Sequence, residues 1–299
     1  SDFRYNETDC GKKEKVFLDD LVSIVIPTWN RCYLALRCLE SVYAQTHKNF
    51  EVVLVDDHST DGTAETIKER FPDVCIVVLS ENVGFARAVN IGISHSRAPL
   101  VFLLNNDMVL DKQCLEFLVG AATTSDQTTA MFAPLILSSD GQRVYAAGDA
   151  YTRGFRPVSI CHGEEYNRFV PPELIFGVCA GAALYRRILF DRIGLFDEEF
   201  GAYFEDADLC FRARWAGFSA KLVSEARAYH EGSASLKGRH LWRARQCCRN
   251  HFQLLVKNVP MLLLLRYFPW IGRERVHQLG RVFSLARCEK SFAWGIAQV

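Results

Sequence analysis

Phe50-Glu-Val-Val-Leu-Val-Asp-Asp57 runs from an apolar, β-branched core straight into two carboxylates. Such a run reads as a strand buried on both faces and ending at a polar edge. The same grammar recurs on both sides of it. Upstream, Val22-Ser-Ile-Val-Ile26 ends at Pro27 and Thr28 and is followed by helical spacing of Leu34, Cys38, Leu39 and Val42. Downstream, a helix is expected from Gly62 to Arg70, a third strand from Val74 to Leu79, and a helix from Ala86 to Ser94. A fourth strand follows, Leu100-Val-Phe-Leu-Leu104, running into Asn105-Asn106-Asp107. Strands alternating with helices mean βαβ units and a mostly parallel central sheet flanked by helices, an α/β fold. In such sheets ligands bind beyond the carboxyl ends of the strands. The polar ends of strands one, two and four therefore mark one expected site edge.

The second half is less regular. Residues 131–180 mix short apolar runs with Gly and Pro. A helix into a loop is expected over Ile188–Phe196, and helices over Glu205–Ala216 and 240–257. The expected organisation is a polar lead-in over 1–20, a catalytic α/β body over 21–236, and a basic helical C-terminal appendage over 237–299.

Composition is that of a globular protein, 49% hydrophobic and 23% charged, which excludes disorder over most of the chain. The net charge of zero hides an asymmetry. Residues 237–299 hold twelve Lys or Arg against two acids, a net +10, so the preceding residues carry −10. An acidic body of this kind excludes a general nucleic-acid binder. The tail could meet an anionic membrane surface or cap the body as a packed amphipathic helix. Trp242, Tyr267, Phe268, Trp270 and Trp294, interleaved with Arg, suit either role. The eleven cysteines are odd in number and form no C-x-x-C pair. Several, such as Cys75 and Cys179, lie in apolar runs. Buried free thiols in a reducing, cytoplasmic setting fit this better than a disulfide framework or a zinc site. No signal peptide is evident, and Met261–Leu265 is too short to span a bilayer, which needs about 20 apolar residues. The first residue, Ser1, is compatible with a piece of a longer multidomain chain.

Four clusters carry candidate chemistry. Asp56-Asp57 could hold a base or ribose, or one of them could cap the helix after Ser59-Thr-Asp-Gly62. Asn105-Asn106-Asp107 could present an exposed carboxylate to a hard divalent cation, or form an Asx turn. Glu205-Asp206-x-Asp208 opens a helix, where the dipole favours acids, yet a carboxylate there could also act as a general base. His230-Glu231-Gly232-x-x-Ser235 matters only if His230 reaches Asp107 in space.

Taken together these residues resemble glycosyltransferase family 2, whose members have the GT-A fold. Val25-Ile-Pro-Thr-Trp-Asn-Arg31 is similar to the family's opening strand and nucleotide loop, and Val55-Asp-Asp-His-Ser-Thr-Asp-Gly-Thr63 to its second-strand motif. Asn82-x-Gly84-x-x-Arg87-x-x-Asn90 resembles the segment after the third strand. Leu103-Leu-Asn-Asn-Asp107 stands where the family has its D-x-D metal motif. Phe204-Glu-Asp-x-Asp-Leu-Cys-x-Arg212, with Gly217 after it, resembles the motif holding the catalytic base.

The resemblance implies an inverting transfer from a nucleoside-diphosphate sugar to a glycan or lipid-linked acceptor, with Mn²⁺ or Mg²⁺ as cofactor. Asp206 would deprotonate the acceptor hydroxyl. Pro27, Thr28, Asn30, Asp56, Asp57, Asn82, Gly84, Arg87 and Asn106 would bind the nucleotide sugar, with Asp57 on the base. Asp107 would be the main metal ligand, joined by Asn105 and His230. The sequence departs from the family at Asn105, where the first Asp of D-x-D is neutral. This Asn-Asn-Asp form resembles the rhamnosyltransferase and galactofuranosyltransferase branches, which suggests a dTDP- or UDP-linked donor and a role in surface polysaccharide or glycan assembly. Residues 140–180 are expected to shape the acceptor side, and the protein to work in the cytoplasm or on the inner face of the membrane. Two rival classes stay open at this point. A sugar nucleotidyltransferase is disfavoured because Thr28-Trp-Asn-Arg31 has no glycine. A non-catalytic carbohydrate-binding domain is disfavoured because Asp107 and Asp206 are both present.

Overall fold

A computed structural model describes residues 20–231 and 240–296, with side chains to residue 287. Residues 1–19 of the polar lead-in, the Gly232–Ser235 end of the His230 stretch, and the Trp294 side chain lie outside the described residues.

The expected alternation is present. Strands β1 (Val22–Thr28), β2 (Phe50–Asp56), β3 (Cys75–Val78) and β4 (Leu100–Leu104) lie parallel in the order β3-β2-β1-β4. Helices α1 (Cys32–Tyr43), α2 (Thr63–Arg70) and α3 (Phe85–Ser94) make the crossovers. Alternation along each strand feeds two cores. Ile24, Ile26, Phe102 and Leu104 join the side with α1, while Val25, Val101 and Leu103 join the side with α3. Each such side chain contributes about 1.5–3 kcal/mol through burial. The α3 face sits so close to the sheet that a Cβ on Gly92 would lie 2.4 Å from Val25 Cγ1. Only glycine permits that approach.

Beyond β4 the sheet becomes mixed. It continues through β10 (Ala182–Arg186), antiparallel to β4, then β6 (Thr129–Ser138), β11 (Ser219–His230) and β5 (Met108–Leu110). The strand β7 (Val144–Ala146) pairs with β6, and β8 (Asp149–Tyr151) with β9 (Pro157–Ser159) forms a separate ribbon. Helices α4 (Cys114–Thr124), α5 (Arg187–Ile193) and α6 (Glu205–Trp215) flank this half.

The tail forms two helices, α7 (His240–Asn258) and α8 (Met261–Ile296). The inner face of α7 is bound to the body through buried polar groups. Asn250, fully buried, donates to the carbonyls of Phe200 at 2.8 Å and Tyr203 at 2.6 Å. His251 Nε2 lies 2.8 Å from the Gly154 carbonyl. Among the described residues no helix is long and apolar enough to cross a membrane.

The thiols follow the sequence reading only in part. Cys38, Cys114, Cys210 and Cys248 are buried and free, but Cys179 is half-buried and Cys75 is exposed. Cys75 lies on β3, the edge strand, where no neighbouring strand covers the outer flank.

Candidate active site

The carboxyl ends of β1 and β2 hold two loops clipped to each other. Asn30, in the left-handed region at φ 56°, accepts the Thr60 N–H on Oδ1 at 2.8 Å and donates its own N–H to Ser59 Oγ at 2.7 Å. Asp56 Oδ1 accepts from the Ser59 N–H at 2.7 Å. The α2 N-cap is Gly62, with no side-chain cap, so neither Asp56 nor Asp57 caps that helix. Both oxygens of Asp57 accept backbone N–H groups, from Val83 at 2.6 Å and Gly84 at 3.0 Å. Its pKa is raised nonetheless, because burial outweighs those bonds. Asn82 Nδ2 donates to the Asp57 carbonyl, and Asn106 Nδ2 to Thr28 Oγ1 at 2.7 Å. Arg87 stands over Glu198 at 3.7 Å. Thus Thr28, Asn30, Asp56, Asp57, Asn82, Gly84 and Asn106 come together as one preassembled shelf, with Pro27 in β1 and Arg87 on α3 beside it.

Next to this shelf lies a cavity of about 670 Å³. One wall carries Asn105, Asp107 and His230, the other Asp149, Glu205 and Asp206. The roof comes from α7 and α8. A depression of equal volume between Arg212, Trp215 and Lys257 has its cations spent on Asp208 and Asp197, so it offers no comparable chemistry.

On the first wall, pairing of β5 with β11 sets Met108 opposite His230 and brings His230 Nε2 to 3.3 Å from Asp107 Oδ2. The sequence condition on His230 is met. Asp107, expected to be exposed, is buried because β11 closes over it. Three buried polar atoms here, Asn105 Oδ1, Asp107 Oδ1 and His230 Nδ1, have no hydrogen-bond partner among the described residues. Leaving each bare costs about 1–3 kcal/mol, so the wall suits a ligand that would satisfy them. A carboxylate, an amide oxygen and an imidazole are suitable donors for Mn²⁺ or Mg²⁺. Among the described residues no three His, Cys, Asp or Glu side chains converge as a metal cluster, so ligand oxygens would have to complete the coordination.

The second wall depends on a strained turn. Tyr203 and Phe204 both have positive φ, 69° and 73°, an arrangement that costs about 1–2 kcal/mol per residue and aims the start of α6 into the cavity. The three acids there then separate. Asp208 turns away to Arg212 at 2.7 Å and Lys257 at 2.9 Å, and its role is structural. Asp206 stays in the cavity, its oxygens accepting from Ala207 at 2.8 Å and Ala180 at 3.3 Å. Burial pushes its pKa up against those two bonds. Glu205 is raised well above the usual range, first by burial and then by Asp206.

Asp149, which the sequence reading did not single out, is raised by the same two causes in the same order. It accepts from Ser159 Oγ at 3.0 Å. Three acids on one wall cannot all be charged. Asp206 holds two backbone donors, so it is the one best placed to ionise.

The model of "Glycosyl transferase family 2" matches residues 23–194. An N-acetylglucosaminyl-diphospho-decaprenol L-rhamnosyltransferase of Mycobacterium tuberculosis is 28% identical over 244 residues, 73% of this chain and 78% of that protein. A Rickettsia felis protein described as an uncharacterized glycosyltransferase is 36% identical over 104 residues, 34% of this chain. The match spans only 17% of that protein's length. Among solved structures, a mannosyltransferase of Pyrobaculum calidifontis in complex with GDP-Man and Mn²⁺ superposes with a TM-score of 0.60. It is 17% identical, and the match covers 93% of this chain and 79% of that one.

Proposed function

The chain belongs to glycosyltransferase family 2 and has the GT-A fold, and from that premise we propose that it is an inverting, metal-dependent transferase of a sugar from a nucleoside diphosphate to an acceptor hydroxyl. The observation that carries this reading is that one cavity is lined by both the Asp206 carboxylate and the Asn105, Asp107 and His230 side chains, with His230 against Asp107.

In this reading the shelf of Thr28, Asn30, Asp56, Asp57 and Asn106 receives the nucleoside, and Asp57 also fixes the Asn82–Gly84 turn beside it. A divalent cation, Mn²⁺ or Mg²⁺, held by Asp107 with Asn105 and His230 would neutralise charge on the departing diphosphate. Asp206 accepts the proton of the attacking hydroxyl, which displaces the nucleoside diphosphate from the anomeric carbon in line. The backbone donors of Ala180 and Ala207 favour Asp206 as the anion that performs this step. The mycobacterial relative and the Asn-Asn-Asp sequence support a rhamnosyl or similar donor linked to dTDP or UDP, and a glycan or lipid-linked acceptor.

The outer face of α8 supports work at the inner face of a membrane. Met261, Leu265, Phe268, Val276, Leu279 and Phe283 are exposed and fall on one stripe, flanked by Arg266, Arg273 and Arg287. The test of the transferase reading is turnover of a panel of dTDP- and UDP-sugars with Mn²⁺, monitored by release of the nucleoside diphosphate. Release is expected with at least one donor. Turnover of a sugar 1-phosphate with a nucleoside triphosphate instead would point to a nucleotidyltransferase, and no turnover or nucleotide binding at all to a carbohydrate-binding scaffold.

A further inference from the structure

We propose that Arg243 and Arg281 form an anion subsite at the mouth of the cavity, for a phosphate or diphosphate group carried by the acceptor. This rests on the transferase reading of the same cavity. The two arginines come from different helices of the tail, α7 and α8, and both line the cavity. Burial raises the pKa of the Cys247 thiol, and both arginines lie near enough to act against that rise, Arg243 also through a hydrogen bond to the sulfur. The Arg243 guanidinium lies over the Tyr203 ring at 5.2 Å, and Trp242 packs on the other side of that turn with its ring 6.2 Å from Tyr203. The fork is therefore oriented by stacking, as in other arginine sites for planar or phosphate groups.

Neither arginine has a carboxylate partner among the described residues. This sets them apart from Arg156, which lines the same cavity but is held by Glu274 at 2.7 Å. Nor do the two neutralise the acidic wall. Asp149 and Glu205 are raised by burial and then by Asp206, and Asp206 by burial, with no cation lowering any of them. Two guanidinium groups without a carboxylate partner among the described residues, at the entrance of a cavity with an acidic wall, suit an anion from outside.

Position selects the acceptor over the donor. The donor diphosphate is assigned to the strand-end wall of Asn105, Asp107 and His230. The acceptor hydroxyl must reach Asp206, at the start of the helix that follows Tyr203. Whatever the acceptor carries next to its sugar then meets the Arg243–Tyr203 stack. Charge-assisted bonds to two guanidinium groups recognise phosphate oxygens. The same chemistry would serve a lipid-linked sugar diphosphate or a soluble sugar phosphate.

The test is calorimetric binding to the full chain saturated with UDP or dTDP and Mn²⁺, so that the donor site is filled. The probes are farnesyl diphosphate, N-acetylglucosamine 1-phosphate and uncharged farnesol. Binding of either phosphate probe but not farnesol is expected. Farnesyl diphosphate alone would indicate the lipid-linked source, and the sugar phosphate the soluble one. The R243Q/R281Q variant should weaken that binding roughly tenfold or more, with nucleotide affinity unchanged, while R243K/R281K, which keeps the charge but loses the stacked fork, should fall between it and the unmodified chain. Undiminished phosphate binding in the double glutamine variant overturns the subsite and leaves the transferase reading intact. A fall in nucleotide affinity instead assigns the pair to the donor and also overturns it. Failure of the unmodified chain to bind any nucleotide overturns the transferase reading, and the phosphate probes without nucleotide still decide the subsite.

Discussion

His230 Nε2 lies 3.3 Å from Asp107 Oδ2, with His230 ending β11 and Asp107 just before β5, its antiparallel partner. With Nε2 directed at Asp107, Asp107 Oδ1 and His230 Nδ1 are left without a hydrogen-bond partner among the described residues. Asp107→Ala is expected to remove activity together with its dependence on added Mn²⁺. His230→Gln should raise the Mn²⁺ concentration needed for half-maximal rate by roughly 10–100-fold, as loss of a supporting metal contact does. Chelator titration with metal add-back checks both. Activity that ignores chelator would sink the metal assignment.

Asp206→Asn should lower kcat by about 10²–10⁴-fold, the usual contribution of a positioned base. Nucleotide affinity should stay within about twofold, since the nucleoside shelf lies on other strands. Burial raises the pKa of Asp206, and a base works only when ionised. The acid limb of kcat in the unmodified protein should therefore lie above the ordinary aspartate range near pH 4, with the rate rising as pH rises. Steady-state kinetics across pH, paired with UDP calorimetry, reads both quantities. A near-normal rate in the Asp206→Asn variant would mean that another group takes the proton.

Asp149 gives a stability prediction with a defined sign. Its pKa is pushed up to about 7 by burial and then by Asp206. Above the unfolded value near 4 the unfolded chain releases this proton while the folded chain keeps it. Ionisation of the unfolded state thus erodes stability between about pH 4 and 7, after which the loss levels off. Asp149→Asn keeps an acceptor for Ser159 and removes the ionisation. The variant should gain Tm over the unmodified protein progressively from pH 4 to 7, and then by a constant margin. A Tm difference that does not change with pH would refute the shifted value.

The alternation from Val22 to Leu104 was readable because β1, β2 and β4 are buried along most of their length and α1 and α3 show buried stripes. The site was readable where a strand end fixes it, as at Asp107, and less so where distant segments converge. Asp149 sits on a three-residue strand in an irregular stretch, and nothing local announces its place beside Asp206. Asp206 and Asp208 differ by two positions, yet helical rotation of about 100° per residue sends one into the cavity and the other to Lys257. Cys75 looked buried because its run is apolar, but sheet order made β3 an edge. The arginines of the roof had no motif, and only packing of α7 and α8 over the cavity brings them to it.

Gly92→Ala tests the packing that holds the shelf. An added Cβ would meet Val25 Cγ1 at 2.4 Å and Val55 Cγ2 at 3.1 Å, both in the sheet interior. Helix propensity favours alanine, by about 1 kcal/mol, but overpacking costs about 1–3 kcal/mol and should win. The variant should unfold at lower urea with an unchanged slope. An increase in the urea midpoint would show that α3 can lift off the sheet freely.

The outer face of α8 yields the last prediction. Phe268 and Phe283 are 69% and 71% exposed on the same stripe as Leu265 and Val276. An apolar face of this size left in water would be a liability, whereas an interfacial helix gains from it. Replacing Phe268 and Phe283 with Glu removes two apolar anchors worth about 1.5–3 kcal/mol each when fully buried and adds charge repelled by anionic lipid. Binding to phosphatidylglycerol vesicles should fall by at least about tenfold, with circular dichroism and donor turnover in solution unchanged. Arg266→Gln with Arg273→Gln should weaken the same binding more at low salt than at high salt, because screening already removes that contribution at high salt. Vesicle cosedimentation across a salt series separates the two contributions. If the unmodified chain fails to sediment with anionic vesicles at low salt, the stripe is covered by protein instead of lipid.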